Sequence, residues 1–251
     1  MQERQIEFST KRTLNVLYEP ILKAKECVLF SHGFLGNISS SNRFDILARG
    51  LHEMGVSTLR FDYSGCGKSY GQKVSLDIWQ EDLEVMLDFI HKKGYEKLYL
   101  LGYSLGALIG IRLLSEKSGY QKWLKGIIFI NPVTTSIAYS WESRYNIDRL
   151  KELETLGYMK ILHSSGEIHL DKSYFRTRES LKQKELFKNI EMPIYILHGE
   201  LDERVPVTDS LQLIGLNEHI SVEKIVGCDH GFQNNSDEIE LKINEFIKKW
   251  R

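Results

Sequence analysis

One stretch constrains this chain more than any other: Leu98–Leu114, reading Leu-Tyr-Leu-Leu-Gly-Tyr-Ser-Leu-Gly-Ala-Leu-Ile-Gly-Ile-Arg-Leu-Leu. Leu98–Leu101 is an apolar run too short for a helix, and a second apolar run of helical length follows without a proline or a polar turn cluster. The order is strand, sharp turn, helix. A turn this tight forces its central residue into strained backbone geometry and brings neighbouring chain close, so the positions two before and two after it must be small. Gly102 and Gly106 occupy them. Ser104 at the apex then projects above the sheet, and the amide of Leu105 lies at a helix N-terminus, where backbone N–H groups favour developing negative charge. This is the setting of an activated nucleophile. A bare G-x-S-x-G pattern occurs by chance in many chains, and its position between a buried strand and a buried helix is what makes this one informative.

The rest of the chain supplies a sheet for that turn. Gln5–Phe8 and Leu14–Tyr18 are β-prone runs separated by Ser-Thr-Lys-Arg-Thr, which predicts an antiparallel hairpin at one sheet edge. Cys27–Phe30, Leu98–Leu101, Gly126–Ile130 and Ile194–Leu197 are strand-length apolar runs, as expected of strands covered on both faces, and Val56–Phe61 reads as a further strand after the first helix. Helical periodicity lies between them: Phe44, Leu47, Leu51 and Met54 before Gly55, then Trp79, Leu83, Met86, Leu87 and Ile90 behind a capping Ser75. A helix near Asp209–Leu216, a strand Ser221–Val226 and a last helix with Ile239, Ile243, Phe246, Ile247 and Trp250 on one face complete the pattern. Strand and helix in alternation predict an α/β fold: a mostly parallel, doubly wound sheet with helices on both faces.

Alternation stops between Val133 and about Ile190, a segment rich in charge and in aromatics (Tyr139, Trp141, Tyr145, Tyr158, Tyr174, Phe175, Phe187). It is too long for a plain loop in a compact domain. The expectation is therefore one domain over residues 1–251 with a cap insertion at about 133–190, including a short helix through Leu150, Leu153 and Leu156 before Gly157.

A formal net charge of −1 gives no field suited to nucleic acid or an acidic membrane. Cys27, Cys66 and Cys228 are far apart and odd in number, so neither a disulfide framework nor a zinc site is indicated. No apolar stretch approaches the roughly 20 residues of a membrane span. The chain reads as soluble and cytoplasmic, acting on a small molecule, with no signal peptide or anchor and no feature that sets an oligomeric state. Asp62-Tyr63-Ser64-Gly65-Cys66-Gly67-Lys68-Ser69 comes within one residue of a phosphate-binding loop, but its first position is a carboxylate instead of glycine, and no helix begins at Lys68. A tight turn across the top of the sheet is the better reading, and nucleotide binding the poorer.

Each candidate chemical residue falls just after the C-terminal end of a strand, where ligands bind in open parallel sheets. Ser104, Asp202 and His230 come in that order, with Glu200 and Glu203 as rival acids on the same loop. Nucleophile, acid, histidine is the order of the α/β-hydrolases, and the chain resembles that superfamily along nearly its whole length. The resemblance matches His32-Gly33-Phe34 to the oxyanion loop and Asp202 to the acid position; Cys66 stands where many relatives carry histidine. It implies that Ser104 attacks, His230 moves the proton, Asp202 holds the imidazole, and the amides of Phe34 and Leu105 receive the oxyanion, with no metal or organic cofactor. His32 and His198 read as structural, and His163 and His169 as cap residues that either touch substrate or, the better reading, stay solvated. Within the superfamily the chain looks most like small capped carboxylesterases, either the palmitoyl-protein thioesterase and acyl-glucuronide esterase group or the cinnamoyl (feruloyl) esterase group. The expected substrate is an ester or acyl thioester, and a non-catalytic binding module is the alternative from another class.

Overall fold

The strands of this computed structural model, which describes residues 4–7, 12–69, 71, 73–135, 146–163 and 166–251, follow from a strict two-residue alternation. In β3 (Glu26–Ser31), Cys27 and Leu29 pack into one hydrophobic cluster while Val28 and Phe30 pack into another. The same division holds in β6 (Lys97–Tyr103) and β7 (Leu124–Ile130): Leu98, Leu100, Ile127 and Phe129 on one side, Tyr99, Leu101, Ile128 and Ile130 on the other. Side chains that point alternately to the two faces are all apolar only where both faces are covered.

The main sheet has eight strands, in the order β1-β2-β4-β3-β6-β7-β10-β11. Its N-terminal hairpin, β1 (Arg4–Glu7) with β2 (Thr13–Glu19), is antiparallel, and β2 runs antiparallel to β4 (Ser57–Phe61). From β4 across to β10 (Ile194–Gly199) and β11 (Ile220–Ile225) every pairing is parallel. The expected fold class is the observed one. Helices α1 (Arg43–Glu53) and α8 (Ser236–Lys249) cover one face through Phe44, Leu47, Leu51, Ile239, Ile243 and Ile247. Helices α2 (Leu76–His91) and α3 (Leu105–Glu116) cover the other. Ser75 caps α2 by accepting the Ile78 amide at 3.2 Å, a contact worth about 1 kcal/mol.

Between β7 and β10 the chain builds α4 (Ile147–Leu156), the antiparallel pair β8 (Tyr158–His163) and β9 (Gly166–Asp171), α5 (Lys172–Ser180) and α6 (Gln183–Lys188). The helix expected before Gly157 is α4, closed by that glycine at φ 77°. A second small sheet forms where the two-residue strand β5 (Lys73–Val74) pairs with β9. The helix expected over 209–216 is shorter: α7 spans Val207–Leu211, and turns follow it. Phe8, Tyr139, Trp141, Arg144 and Tyr145 lie outside the described residues. Among the described residues no helix is long and apolar enough to cross a membrane, and the three cysteines are buried and free.

Candidate active site

The turn between β6 and α3 has the close packing its sequence demands. A side chain at Gly102 would bring a Cβ within 2.7 Å of the Ala107 Cα, and one at Gly106 would collide with the carbonyl oxygen of Ser31. Ser104 itself sits at φ 52°, ψ −116°, a conformation that costs an L-residue of order 1–3 kcal/mol and persists only because the surroundings impose it. Those surroundings are specific: the Ser104 amide donates to the Ile130 carbonyl at 3.0 Å, and the Ser104 carbonyl accepts the Val133 amide at 3.2 Å.

Ser104, His230 and Asp202 converge from three strand-end loops. The Ser104 hydroxyl lies 3.0 Å from His230 Nε2, and His230 Nδ1 lies 2.7 Å from Asp202 Oδ2. With Nδ1–H donating to the carboxylate, Nε2 is left as the acceptor for the serine proton. Asp202 Oδ1 accepts the Arg204 and Val205 amides at 2.9 and 2.8 Å. Burial opposes its charge, yet hydrogen bonds from His198, from His230 and from the Val205 amide outweigh that and hold the carboxyl well below the usual carboxylate range. The rival acids are elsewhere: Glu200 bonds Lys224 at 2.6 Å, and Glu203 is exposed.

The oxyanion candidates are two backbone amides close to the serine in sequence or in space. Leu105 is the first residue of α3, so its amide has no intrahelical carbonyl to bond. Phe34 follows Gly33, where an added Cβ would stand 3.2 Å from the Ser104 Cβ. His32 fixes this loop: its Nε2 accepts the Tyr63 amide at 3.1 Å while Nδ1 donates to the Gly33 carbonyl at 2.8 Å. The bond accepted at Nε2 requires the neutral ring, and burial pushes its pKa down from the ordinary histidine value. The 62–69 turn closes on its own carboxylate, with Asp62 accepting the Ile38 and Lys68 amides at 2.7 and 2.8 Å.

Three residues support this arrangement, and only one of them, His198, was named from sequence. His198, read as structural, lies 3.3 Å from Asp202 Oδ2 while its Nδ1 meets the Ser210 hydroxyl at 2.7 Å. Tyr103 donates to the His230 carbonyl at 3.1 Å, and Arg43 donates to the Gly231 carbonyl at 2.7 Å, its guanidinium lying over the Tyr103 and Phe232 rings. Their partners are backbone carbonyls brought close only by the fold. Sequence marks His198 alone, by its place at a strand end.

A cavity of about 490 Å³ opens above Ser104. Its wall is mixed: Phe34, Leu35, Val133, Tyr174 and Phe175 supply apolar surface, and Arg43, Arg178 and Arg204 supply charge. His163 also lines it, where the sequence suggested a solvated residue, because β8 ends at the cavity; His169 instead stacks on Tyr158 at 4.2 Å. Of the four aromatics of the 133–190 segment that lie among the described residues, Tyr174 and Phe175 reach the cavity. Phe187 is buried against Phe129.

An eight-stranded sheet of this order, with a serine at the β6–α3 turn, defines an α/β-hydrolase. The chain belongs to the Hydrolase_4 family, serine aminopeptidase S33, whose sequence model matches residues 23–185; the match spans Phe34 and Ser104 and stops short of Asp202 and His230. Relatives include palmitoyl-protein thioesterase ABHD10, mitochondrial, from Rattus norvegicus, 28% identical over 218 residues, covering 84% of this chain and 71% of that protein. A monoglyceride lipase homolog from monkeypox virus is 22% identical over 263 residues, covering 93% and 91%. Est1E from Butyrivibrio proteoclasticus, solved with ferulic acid bound, superposes with a TM-score of 0.79 at 20% identity, covering 100% of this chain and 99% of that one.

Proposed function

We propose that this protein hydrolyses carboxylic esters or thioesters through an acyl-enzyme formed on Ser104. The observation that carries the reading is the continuous chain of contacts from Ser104 Oγ through His230 to Asp202, at 3.0 and 2.7 Å, opening on a cavity. In the first half-reaction Ser104 Oγ attacks the acyl carbon as His230 Nε2 takes its proton, and the carbonyl oxygen becomes an oxyanion held by the Leu105 and Phe34 amides. Each such donor is worth about 3–4 kcal/mol. The protonated His230, stabilised by Asp202, returns the proton to the departing alkoxide or thiolate. Water then repeats the sequence on the acyl-enzyme and frees the acid.

The thioesterase and lipase names among the relatives and the ferulate bound to Est1E support an acyl substrate of some size. In this reading the 133–190 segment is a cap over the site, on a single 1–251 domain, and the protein works in the cytoplasm. A second reading has one observation in its favour: three arginines line the cavity, which suits a substrate whose leaving group carries a negative charge, such as a glucuronide. A fluorophosphonate probe and a panel of acyl esters and thioesters test the proposal. Stoichiometric labelling, absent in Ser104→Ala, and turnover of at least one ester class are expected. No labelling and no turnover of the purified protein would leave a non-catalytic binding module as the better reading.

A further inference from the structure

The turn that follows β7 touches all three loops of the site. Ile130 and Val133 hold the backbone of Ser104, as described above. Between them Asn131 is 1% exposed and sits at φ 45°, in the left-handed region. Its side-chain Nδ2 donates to the His230 carbonyl at 2.8 Å and to the Asp229 carbonyl at 3.0 Å, while Oδ1 accepts the amide of Gly199 at 2.7 Å. Gly199 ends β10 and opens the loop that carries Asp202, whose amide bonds back to the Gly199 carbonyl at 3.3 Å.

We infer that Asn131 is a positioning residue that sets the spacing of Ser104, Asp202 and His230. Its backbone lies in the turn that clamps the serine, and its amide side chain ties the histidine loop to the acid loop. The position makes two demands at once. Left-handed φ is tolerated by asparagine, aspartate and glycine, and penalised in other L-residues. The three bonds need two N–H donors and one acceptor on a short side chain; aspartate lacks the donors and glycine lacks the side chain. Asparagine alone meets both demands. The acid and histidine loops also bond each other directly, the Leu201 amide to the Cys228 carbonyl at 2.8 Å and the Gly227 amide to Glu200 Oε2 at 3.3 Å besides His230 to Asp202, so losing Asn131 loosens the spacing without dissolving the loops.

Nucleophile and base must be held to a fraction of an ångström, and a misplacement of about 1 Å costs on the order of 100-fold in rate. The kinetic consequence rests on the serine-hydrolase reading; the geometric one does not. The experiment compares Asn131→Gly, which keeps the left-handed backbone and removes the side chain, with Asn131→Asp, which keeps shape and the Gly199 acceptor but sets an oxygen against two carbonyls. Each is read by melting temperature, by kcat and KM on an ester that the parent turns over, by fluorophosphonate labelling rate, and by the downfield proton NMR signal of the His230–Asp202 bond. The expected result is that kcat and labelling rate fall about 100-fold with KM held within about twofold, and that the downfield signal shifts or vanishes. If one variant does not fold, the other decides. A variant that melts lower but keeps parental kcat and the parental signal would show a merely structural asparagine and overturn the inference. Should the parent neither label nor turn over, the hydrolase reading fails separately, and the NMR signal alone decides on Asn131: lost in the variants, the inference stands, and retained, it falls.

Discussion

The loops at the strand ends and the segment from Ile147 to Lys188 face each other across the same cavity, and they are held in different ways. At the strand ends, hydrogen bonds with at least one backbone partner hold each reacting residue: Ser104 to Ile130 and Val133, Asp202 to the Arg204 and Val205 amides, the His230 carbonyl to Tyr103. The facing segment meets the body through the short β5–β9 pairing, the Lys73–Asp171 ion pair at 2.9 Å, the Asn217 bond to the Phe187 carbonyl at 2.9 Å, and ring contacts of Tyr174 with Phe34 and Trp79 at 5.6 and 6.4 Å and of Phe187 with Phe129 at 6.4 Å. Backbone bonds impose distances to a fraction of an ångström, whereas ring packing imposes shape and lets side chains adjust. The difference separates chemistry, which needs the first, from selectivity, which needs only the second. Substitutions on the two sides should therefore part cleanly, in kcat on one and in KM and substrate preference on the other.

The largest effect belongs to Ser104. Ser104→Ala should lose at least about a thousandfold in kcat, and up to on the order of a millionfold, because nucleophile and base act as a unit. Its melting temperature should stay near the parent's, since alanine inherits the same φ of 52°. Ser104→Gly should be equally inactive but more stable, by up to about 1–3 kcal/mol, as the strained φ is relieved. Chemical denaturation of the three proteins measures this. A glycine variant no more stable than the alanine one would mean that the turn stores no strain.

Next comes Asp202→Asn, for which a fall in kcat on the order of 10,000-fold is expected with KM little changed, because the amide favours the wrong tautomer of His230. The carboxyl of Asp202 is held below its ordinary range, so the unfolded chain binds its proton more readily than the folded one. Stability drawn from this group is thus fully present above the unfolded value of about 3.9 and is lost as pH falls through the lower folded value. The stability difference between parent and Asp202→Asn should be flat from pH 7 to 5 and shrink only below about pH 4. A difference that already shrinks at pH 6 would locate the titrating group elsewhere.

The two regions also differ in how far the sequence revealed them. The parallel sheet was legible because most strands covered on both faces read as apolar runs, and Ser104 and Asp202 stood out as polar residues shortly after such runs, with His230 after the mixed strand Ser221–Val226. Gly102 and Gly106 reported a close approach that only a missing Cβ allows. The β8–β9 pair was not legible: Tyr158–His163 and Gly166–Asp171 alternate weakly, and the small sheet is completed by Lys73 and Val74, some ninety residues earlier. Arg43 and Asn131 escaped for a related reason. Their partners are backbone carbonyls and amides, which every residue has and which no spacing of side chains can mark.

The smallest effect, and the one that sharpens the contrast most, is expected from the facing segment. Phe175 is buried and lines the cavity, and Arg178, buried on the same helix α5, lines it too. If apolar wall binds the acyl chain, each buried methylene adds up to about 0.8 kcal/mol, so three or four of them raise kcat/KM between acetyl and hexanoyl by tenfold or more. Phe175→Leu keeps an apolar, foldable side chain but gives up ring surface. It should lower kcat/KM for octanoyl esters severalfold, chiefly through KM, while leaving acetyl esters within about twofold of the parent. Arg178→Met keeps the length and removes the charge; it should leave neutral esters alone and weaken only substrates with an anionic leaving group. The measurement is one alcohol's ester series from acetyl to decanoyl, run below the micelle limit beside an anionic ester. A steady fall in parental kcat/KM from acetyl to decanoyl would reject the apolar pocket and favour the charged leaving group. A kcat that drops equally for every ester in Phe175→Leu would show that this segment positions the reacting groups as the strand ends do, and the division between the two regions would not hold.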